Sequence, residues 1–244
     1  MNDNPTGLER DCINVPTGLK DANTNGDMVE ALADLYGVWD DPCVHERLTE
    51  MFLLLRDRMF VPPGALHMYF QPDWTPVPDF SRYAETLNKT ILLAKASRRL
   101  DREAEPKTCH TIQSAIDMLL HYCWDNTRGG FYYAGSPFGP TNLEDLTVAV
   151  QDKFWWPQAD GLRALLRLVL LHPENDFYLQ RFNELWRYVN LYIIDWERGG
   201  WRGVGLDCFR PLNKRPKATR WKDASHETHS LLECIQMLDS AQTI

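Results

Sequence analysis

The sequence predicts an all-α protein made of helical hairpins set around an axis, as in a solenoid or a toroid. Three observations carry that prediction. Seven segments place apolar residues at i, i+3 and i+4, the period of an amphipathic helix. No sustained two-residue alternation competes with them, and only short aromatic stretches such as "GFYYAG" (130–135) read as extended. Finally, "WDNTRGGFYYAG" at 124–135 returns 70 residues later as "IDWERGGWRGVG" at 194–205. Both copies read as a helix ending at an Asp, then a glycine pair turning the chain into a short extended stretch. A repeat of two helices plus a loop is the signature of stacked hairpins, and in a toroid the loops at one end converge on a central hollow.

The predicted helices lie at about 28–40, 43–59, 82–101, 107–124, 153–171, 176–194 and 223–240. Leu162, Leu165, Leu166 and Val169 form the stripe of the fifth, and Leu231, Leu232, Ile235 and Leu238 that of the seventh. The seventh starts at Asp223 or Ser225, either of which caps free backbone N–H groups. Between helices run Pro-, Gly- and Asp-rich loops such as "VPPGALHMYFQPDWTPVPD" (61–79) and "GVGLDCFRPLNKRPKAT" (203–219). One domain over 1–244 is expected, with residues 1–20 irregular.

The 244 residues suffice for a sizeable core, and 44% hydrophobic with 25% charged residues is ordinary for a globular chain. A net charge of −8 argues against nucleic acid or an anionic membrane as partner. No apolar run reaches the roughly 18 residues that span a bilayer. The N-terminal "MNDNPTGLERDCINVPTG" has no apolar core of a signal peptide. Six cysteines without a CxxC predict reduced thiols and a cytoplasmic protein. No metal or other cofactor is implied, since Cys208, His226, His229 and Cys234 fit no standard zinc spacing.

Two stretches hold candidate site residues. In "RWKDASHETH" (220–229), His226 falls in the first turn of the last helix, where the helix dipole is expected to keep its imidazole neutral and able to accept a proton. In "DKFWWPQADGLRALLRL" (152–168), Trp155 and Trp156 cannot both face one core, because neighbours on a helix point about 100° apart. One of them is therefore expected at a cavity, where a sugar ring would stack on it and Lys153, Gln158 and Asp160 would bond hydroxyls.

At these residues the chain resembles the N-acylglucosamine 2-epimerases, cellobiose 2-epimerases and related aldose–ketose isomerases. The family order is a stretch like NTHMHLLEA, then GHxxE, WWxQAE, a Gly-Gly-Trp turn and WKxPYH. Here the collinear stretches are "NTNGDMVEA" (23–31), "SRYAE" (81–85), "WWPQAD" (155–160), "RGGW" (198–201) and "WKDASH" (221–226). "HMYFQPDWTPV" (67–77) resembles the strand and loop preceding GHxxE. The resemblance implies an (α/α)6 toroid with a sugar site in its cleft. It further implies 2-epimerisation or aldose–ketose isomerisation by removal of a proton beside the carbonyl of an open-chain sugar. By position it assigns catalysis to His226 and Glu85, and substrate binding to Arg82, Trp155, Trp156, Gln158, Asp160, Lys153, Trp221 and Asn25.

The departures from the pattern are specific. Arg82 stands for the GHxxE histidine and stays protonated, so it is no ordinary base, though it suits an oxyanion or a carboxylate. Asn25 and Asp27 replace the two histidines of NTHMHLLEA, and Asp160 replaces a Glu. The chain resembles the C-terminal part of the barrel, an arc of about seven helices. A second copy or another chain completing the barrel is therefore an expected partner, beside a small-molecule sugar. A non-catalytic sugar-binding or structural homologue remains open at this stage. So does a glycosidase or lyase on a helical toroid, for which Glu85 and Asp160 would have to face each other across the cleft.

Overall fold

Acidic and amide side chains start several of the helices. Asp21 accepts the backbone N–H of Asn23 and Thr24 at 3.0 and 3.1 Å, opening α1 (Ala22–Tyr36). This cap recruits a polar first turn that apolar periodicity does not detect, so the helix begins earlier than expected. Asp41 accepts from Cys43 at 2.8 Å, and Pro42 occupies the first position of α2 (Pro42–Leu54). Next come α3 (Tyr83–Arg99), α4 (Pro106–Tyr122) and α5 (Trp155–Leu171). Asn175 caps α6 (Asp176–Tyr188), and α7 spans Ser225–Gln242, where Asp223 accepts the Ser225 N–H at 2.9 Å. Both α2 and α6 widen into a π-helical turn, at Leu55–Met59 and Val189–Ile193.

The computed structural model describes residues 18–77, 82–136, 148–208, 216–219 and 221–242, and these contain seven α-helices. Of the segment expected to be irregular, residues 1–17 lie outside the described residues, while Lys20–Asp21 form a strand (β1). The strands are short and pair antiparallel. β1 pairs with β4 (Tyr69–Phe70), β2 (Phe60–Val61) with β3 (Ala65–Leu66), and β5 (Ala134–Gly135) with β6 (Val148–Val150).

The odd-numbered helices pack in succession, α1 on α3, α3 on α5 and α5 on α7. Behind them α2, α4 and α6 pack on α1, α3 and α5. The result is an inner row of four helices backed by an outer row of three, an incomplete (α/α)6 toroid. One apolar core joins α3 to α7, including Tyr83, Leu119, Phe131, Leu162, Leu165 and Tyr188; the other joins α1 and α2 to Phe60, Leu66 and Phe70. The stripe expected to bury α7 divides instead. Cys234, Ser230 and the partly buried Leu231 and Met237 face the protein, while Leu232, Ile235 and Leu238 are exposed. The reason is position, because α7 ends the inner row and has a neighbour only on the α5 side among the described elements. No described helix is long and apolar enough to cross a membrane.

The two repeat copies form the same turn. In the first, Asp125 accepts from the N–H of Thr127 and Arg128 at 2.8 and 3.2 Å; in the second, Asp195 accepts from Glu197 and Arg198, both at 3.2 Å. Backbone bonds match as well, Asp125 N–H to Gly130 and Asp195 N–H to Gly200, at 3.0 and 2.9 Å. All four glycines sit at positive φ, between 71° and 87°, where a side chain would be strained. A lysine staples each turn. Lys153 reaches the Asp125 carboxylate at 2.5 Å and the Gly129 carbonyl at 3.0 Å, while Lys217 reaches Asp195 at 2.5 Å and the Gly199 carbonyl at 2.7 Å. Of the two repeat arginines, Arg128 pairs with Asp207 at 3.7 Å.

Candidate active site

Each inner helix opens after a connecting segment, and side chains from the first two turns of all four are linked. His226, in the first turn of α7, turns its Nδ1 to the Asp160 carboxylate of α5 at 3.5 Å. Its ring is tilted against Trp156, with centroids 5.5 Å apart, and Trp156 in turn meets the edge of Tyr133 at 6.2 Å. Trp156 is half-buried, whereas Trp155 is buried under the Lys222 ammonium, 5.0 Å from its ring. Of the two adjacent tryptophans, Trp155 is thus the buried one and Trp156 the one that lies half-buried against His226.

Asp160 is fully buried and ties the helices together. It accepts from Asn88 Nδ2 of α3 at 3.0 Å, from Arg163 Nη2 at 2.9 Å and from the Ser230 hydroxyl at 3.4 Å. Burial alone would raise its pKa, but the Arg163 charge and the His226 and Asn88 contacts hold it below the usual carboxylate value. The carboxylate therefore stays ionised beside His226. That reverses the expectation for the imidazole: burial pulls its pKa down, but the bond to Asp160 and that residue's charge outweigh it, leaving a raised value. The adjacent carboxylate is stronger here than the helix dipole on which the sequence reading relied.

Asn88 continues the network. Its Oδ1 accepts from Lys89 Nζ at 3.1 Å, and the same ammonium reaches Asp27 of α1 at 2.8 Å and Glu85 at 3.7 Å. Gly26 makes room for this, since a Cβ there would collide with the buried stem of Lys89. Glu85 lies in the first turn of α3, and burial raises its pKa against the opposing charges of Lys89 and Arg82. Arg82 is the residue from which α3 starts, and its charge also acts on the Tyr133 hydroxyl. One polar chain thus runs Glu85–Lys89–Asn88–Asp160–His226 across three inner helices, with Asp27 of the fourth joined to Lys89. Asn88, Lys89 and Asp27 were not singled out as site residues from sequence. The available signal was a lysine four residues after Glu85, the spacing of an ion pair on one helix face, and for Asp27 its place at one of the two motif histidines.

The other expected binding residues sit apart from this network. Gln158 is buried and spends its amide on the backbone N–H and carbonyl of Phe131, at 2.9 and 2.8 Å, and on the Phe154 carbonyl at 3.1 Å. Lys153 is buried between Asp125 and Asp207, the latter at 3.1 Å, with Tyr188 beneath it. Asn25 bonds the Asp21 carbonyl at 2.6 Å within its own helix turn. Trp221 is exposed on the turn formed by Thr219 and Lys222.

A family model described as N-acylglucosamine 2-epimerase (GlcNAc 2-epimerase) matches residues 6–222. The cellobiose 2-epimerase of Dictyoglomus turgidum is 21% identical over 218 residues, covering 88% of this chain and 53% of that protein. Among solved structures, the cellobiose 2-epimerase of Bacillus thermoamylovorans superposes with a TM-score of 0.76 at 20% identity, covering 88% of this chain and 53% of that one. A D-mannose isomerase structure gives a TM-score of 0.76 at 19% identity, covering 90% and 57%. The chain spans about half the length of the curated cellobiose 2-epimerases it matches.

Proposed function

The chain belongs to the N-acylglucosamine 2-epimerase family, and from that premise we propose that it carries the acid–base half of a sugar 2-epimerase or aldose–ketose isomerase site. The observation that supports this best is His226, partly exposed, braced by an ionised buried Asp160 and set against the Trp156 ring. With Nδ1–H turned to the carboxylate, Nε2 is the nitrogen available to a substrate. It takes the proton from the carbon beside the carbonyl of an open-chain sugar, and the electron pair moves onto the carbonyl oxygen to give an enediolate. Return of a proton to the opposite face of that carbon gives the 2-epimer. Return to the former carbonyl carbon exchanges aldose for ketose. Glu85, a carboxyl that burial keeps protonated to a higher pH than usual, is the second proton-handling group. Trp156 offers its face to the sugar, and Arg82 is suited to the developing oxyanion or to an acidic substituent. Asp160 is a positioning residue: its four partners leave it no part in the paired-carboxylate chemistry of a glycosidase. Further helices, from a second copy or another chain, would cover the exposed apolar face of α7 and complete the cleft.

The test is deuterium incorporation beside the carbonyl when the purified protein is incubated with a panel of aldoses in deuterated water. His226→Gln is expected to lower exchange by about 10²- to 10⁴-fold, the usual worth of a general base. His229→Gln, an exposed neighbour three residues on, is expected to leave it unchanged. No exchange with any sugar, or equal rates for wild type and His226→Gln, would overturn the proposal.

A further inference from the structure

Beside the His226–Asp160 pair, α3, α4, α5 and α7 line a small, partly open space that the proposed reaction does not use. Its walls are mostly apolar, including Ile91, Ile116 and Leu168, but Arg163, Arg167 and Glu233 also line it. It holds about 20 Å³, room for one water or one monatomic ion. Arg163 is only 9% exposed, and two of its guanidinium nitrogens are engaged, with Asp160 at 2.9 Å and Glu233 at 3.1 Å. Its third donor, Nε–H, is buried with no acceptor. Arg167 follows one helical turn later, and among the described residues no acceptor or ion-pair partner reaches its guanidinium. Arg167 is partly exposed. Loss of solvent, with Arg98 near by, drops its pKa to about 10 although the charges of Glu233 and Glu103 oppose the shift, the sign of a cation whose charge is incompletely compensated. Glu233 is paired with Arg163 and offsets the Arg167 charge only in part.

A buried orphan donor and an unpaired cation beside the same space both require an acceptor, and the cation requires a negative one. We propose that this space is an anion site, holding a single chloride ion between the Arg167 guanidinium and the Nε–H of Arg163. A space this small suits a monatomic ion better than phosphate, sulfate or a carboxylate. A water fills the space and satisfies Nε–H but leaves the Arg167 charge standing. Because Arg163 also holds Asp160, the ion would sit behind the residue that braces His226 and would stiffen the floor of the site.

The test is thermal unfolding in sodium chloride and in sodium gluconate at equal ionic strength, gluconate being too large to enter. Chloride at ten times its dissociation constant is expected to raise Tm by roughly 3–6 °C for a chain of this size. Arg167→Met is expected to lose that difference, while substitution of an exposed arginine on α6, Arg187→Gln, is expected to keep it. A crystal of the unaltered protein grown in bromide is expected to show an anomalous peak against Arg167. Equal melting in the two salts, an undiminished chloride effect in Arg167→Met, or a bromide crystal without that peak would overturn the proposal, leaving water as the occupant.

Discussion

Lys153→Met separates a binding role for Lys153 from the role its surroundings give it. The ammonium lies 2.5 Å from Asp125, 3.1 Å from Asp207 and 3.0 Å from the Gly129 carbonyl, and the side chain is 3% exposed. Methionine keeps the stem and removes the ammonium that lies between the two carboxylates. Asp125 retains the backbone N–H groups of Thr127 and Arg128, and Asp207 retains the Tyr188 hydroxyl at 2.6 Å and Arg128 at 3.7 Å. Those contacts soften the loss without balancing the charge. Removing one partner of a buried ion pair costs about 3–5 kcal/mol, which for a chain of this size lowers Tm by roughly 6–20 °C. The repeat supplies an internal control. Lys217→Met breaks the equivalent staple, but Lys217 is 37% exposed and Asp195 keeps Arg202 at 3.0 Å, so the loss is expected to be much smaller. The pH dependence has a defined sign. Burial would raise the Asp125 pKa, but Lys153 and the turn N–H groups hold it below its ordinary value. Its contribution is therefore present above the unfolded carboxylate pKa and lost as pH falls through the folded one. The gap between wild type and Lys153→Met is expected to narrow on acidification, measured by calorimetry or circular dichroism melts. A Lys153→Met protein that melts with wild type but binds sugar more weakly would refute the structural role and return Lys153 to the cleft.

Two further substitutions probe the site and its support. Asp160→Asn is expected to shift the His226 imidazole titration, followed by NMR, to lower pH, because the bond and charge of Asp160 are what raise it against burial. In the wild type the His226⁺–Asp160 interaction stabilises the fold fully below the unfolded histidine pKa of about 6.5 and is lost as pH rises through the higher folded value; an unmoved titration in Asp160→Asn would sink this reading. Gly205→Ala is expected to destabilise by about 1–3 kcal/mol, since the new Cβ would collide with the Tyr188 hydroxyl at its bond to Asp207. Unchanged melting would show that the Tyr188–Asp207 contact is dispensable.

What was legible in the sequence was mostly what is local. The repeated turn is written in consecutive residues: an Asp whose carboxylate meets two following N–H groups, then two glycines that the left-handed backbone demands. The first-turn position of His226 follows from the capping residues before it, and the 100° step of a helix separates Trp155, which is buried, from Trp156, which is half-buried. The start of α1 was missed because its first turn is polar and is held by a cap, a signal that apolar periodicity does not weigh.

The ionisation and bonding of the site were hidden for a different reason: they depend on residues far apart in the chain. Whether His226 is held neutral or charged turns on Asp160, 66 positions earlier and one helix over. Whether Gln158 faces a sugar or a backbone turn depends on Phe131, brought close because Gly161 lets its ring in; a Cβ there would come within 2.5 Å of it. Collinear motifs place such residues near a cleft but do not say which polar atoms are already spent. Of the polar residues grouped by motif in 153–160, Lys153 and Gln158 are bonded to the turn of the first repeat, and Asp160 braces His226. The motif thus encodes the scaffold that aims the imidazole. Under the proposed function the acid–base burden would fall on His226 and Glu85, which Asn88, Lys89 and Asp160 join into one network.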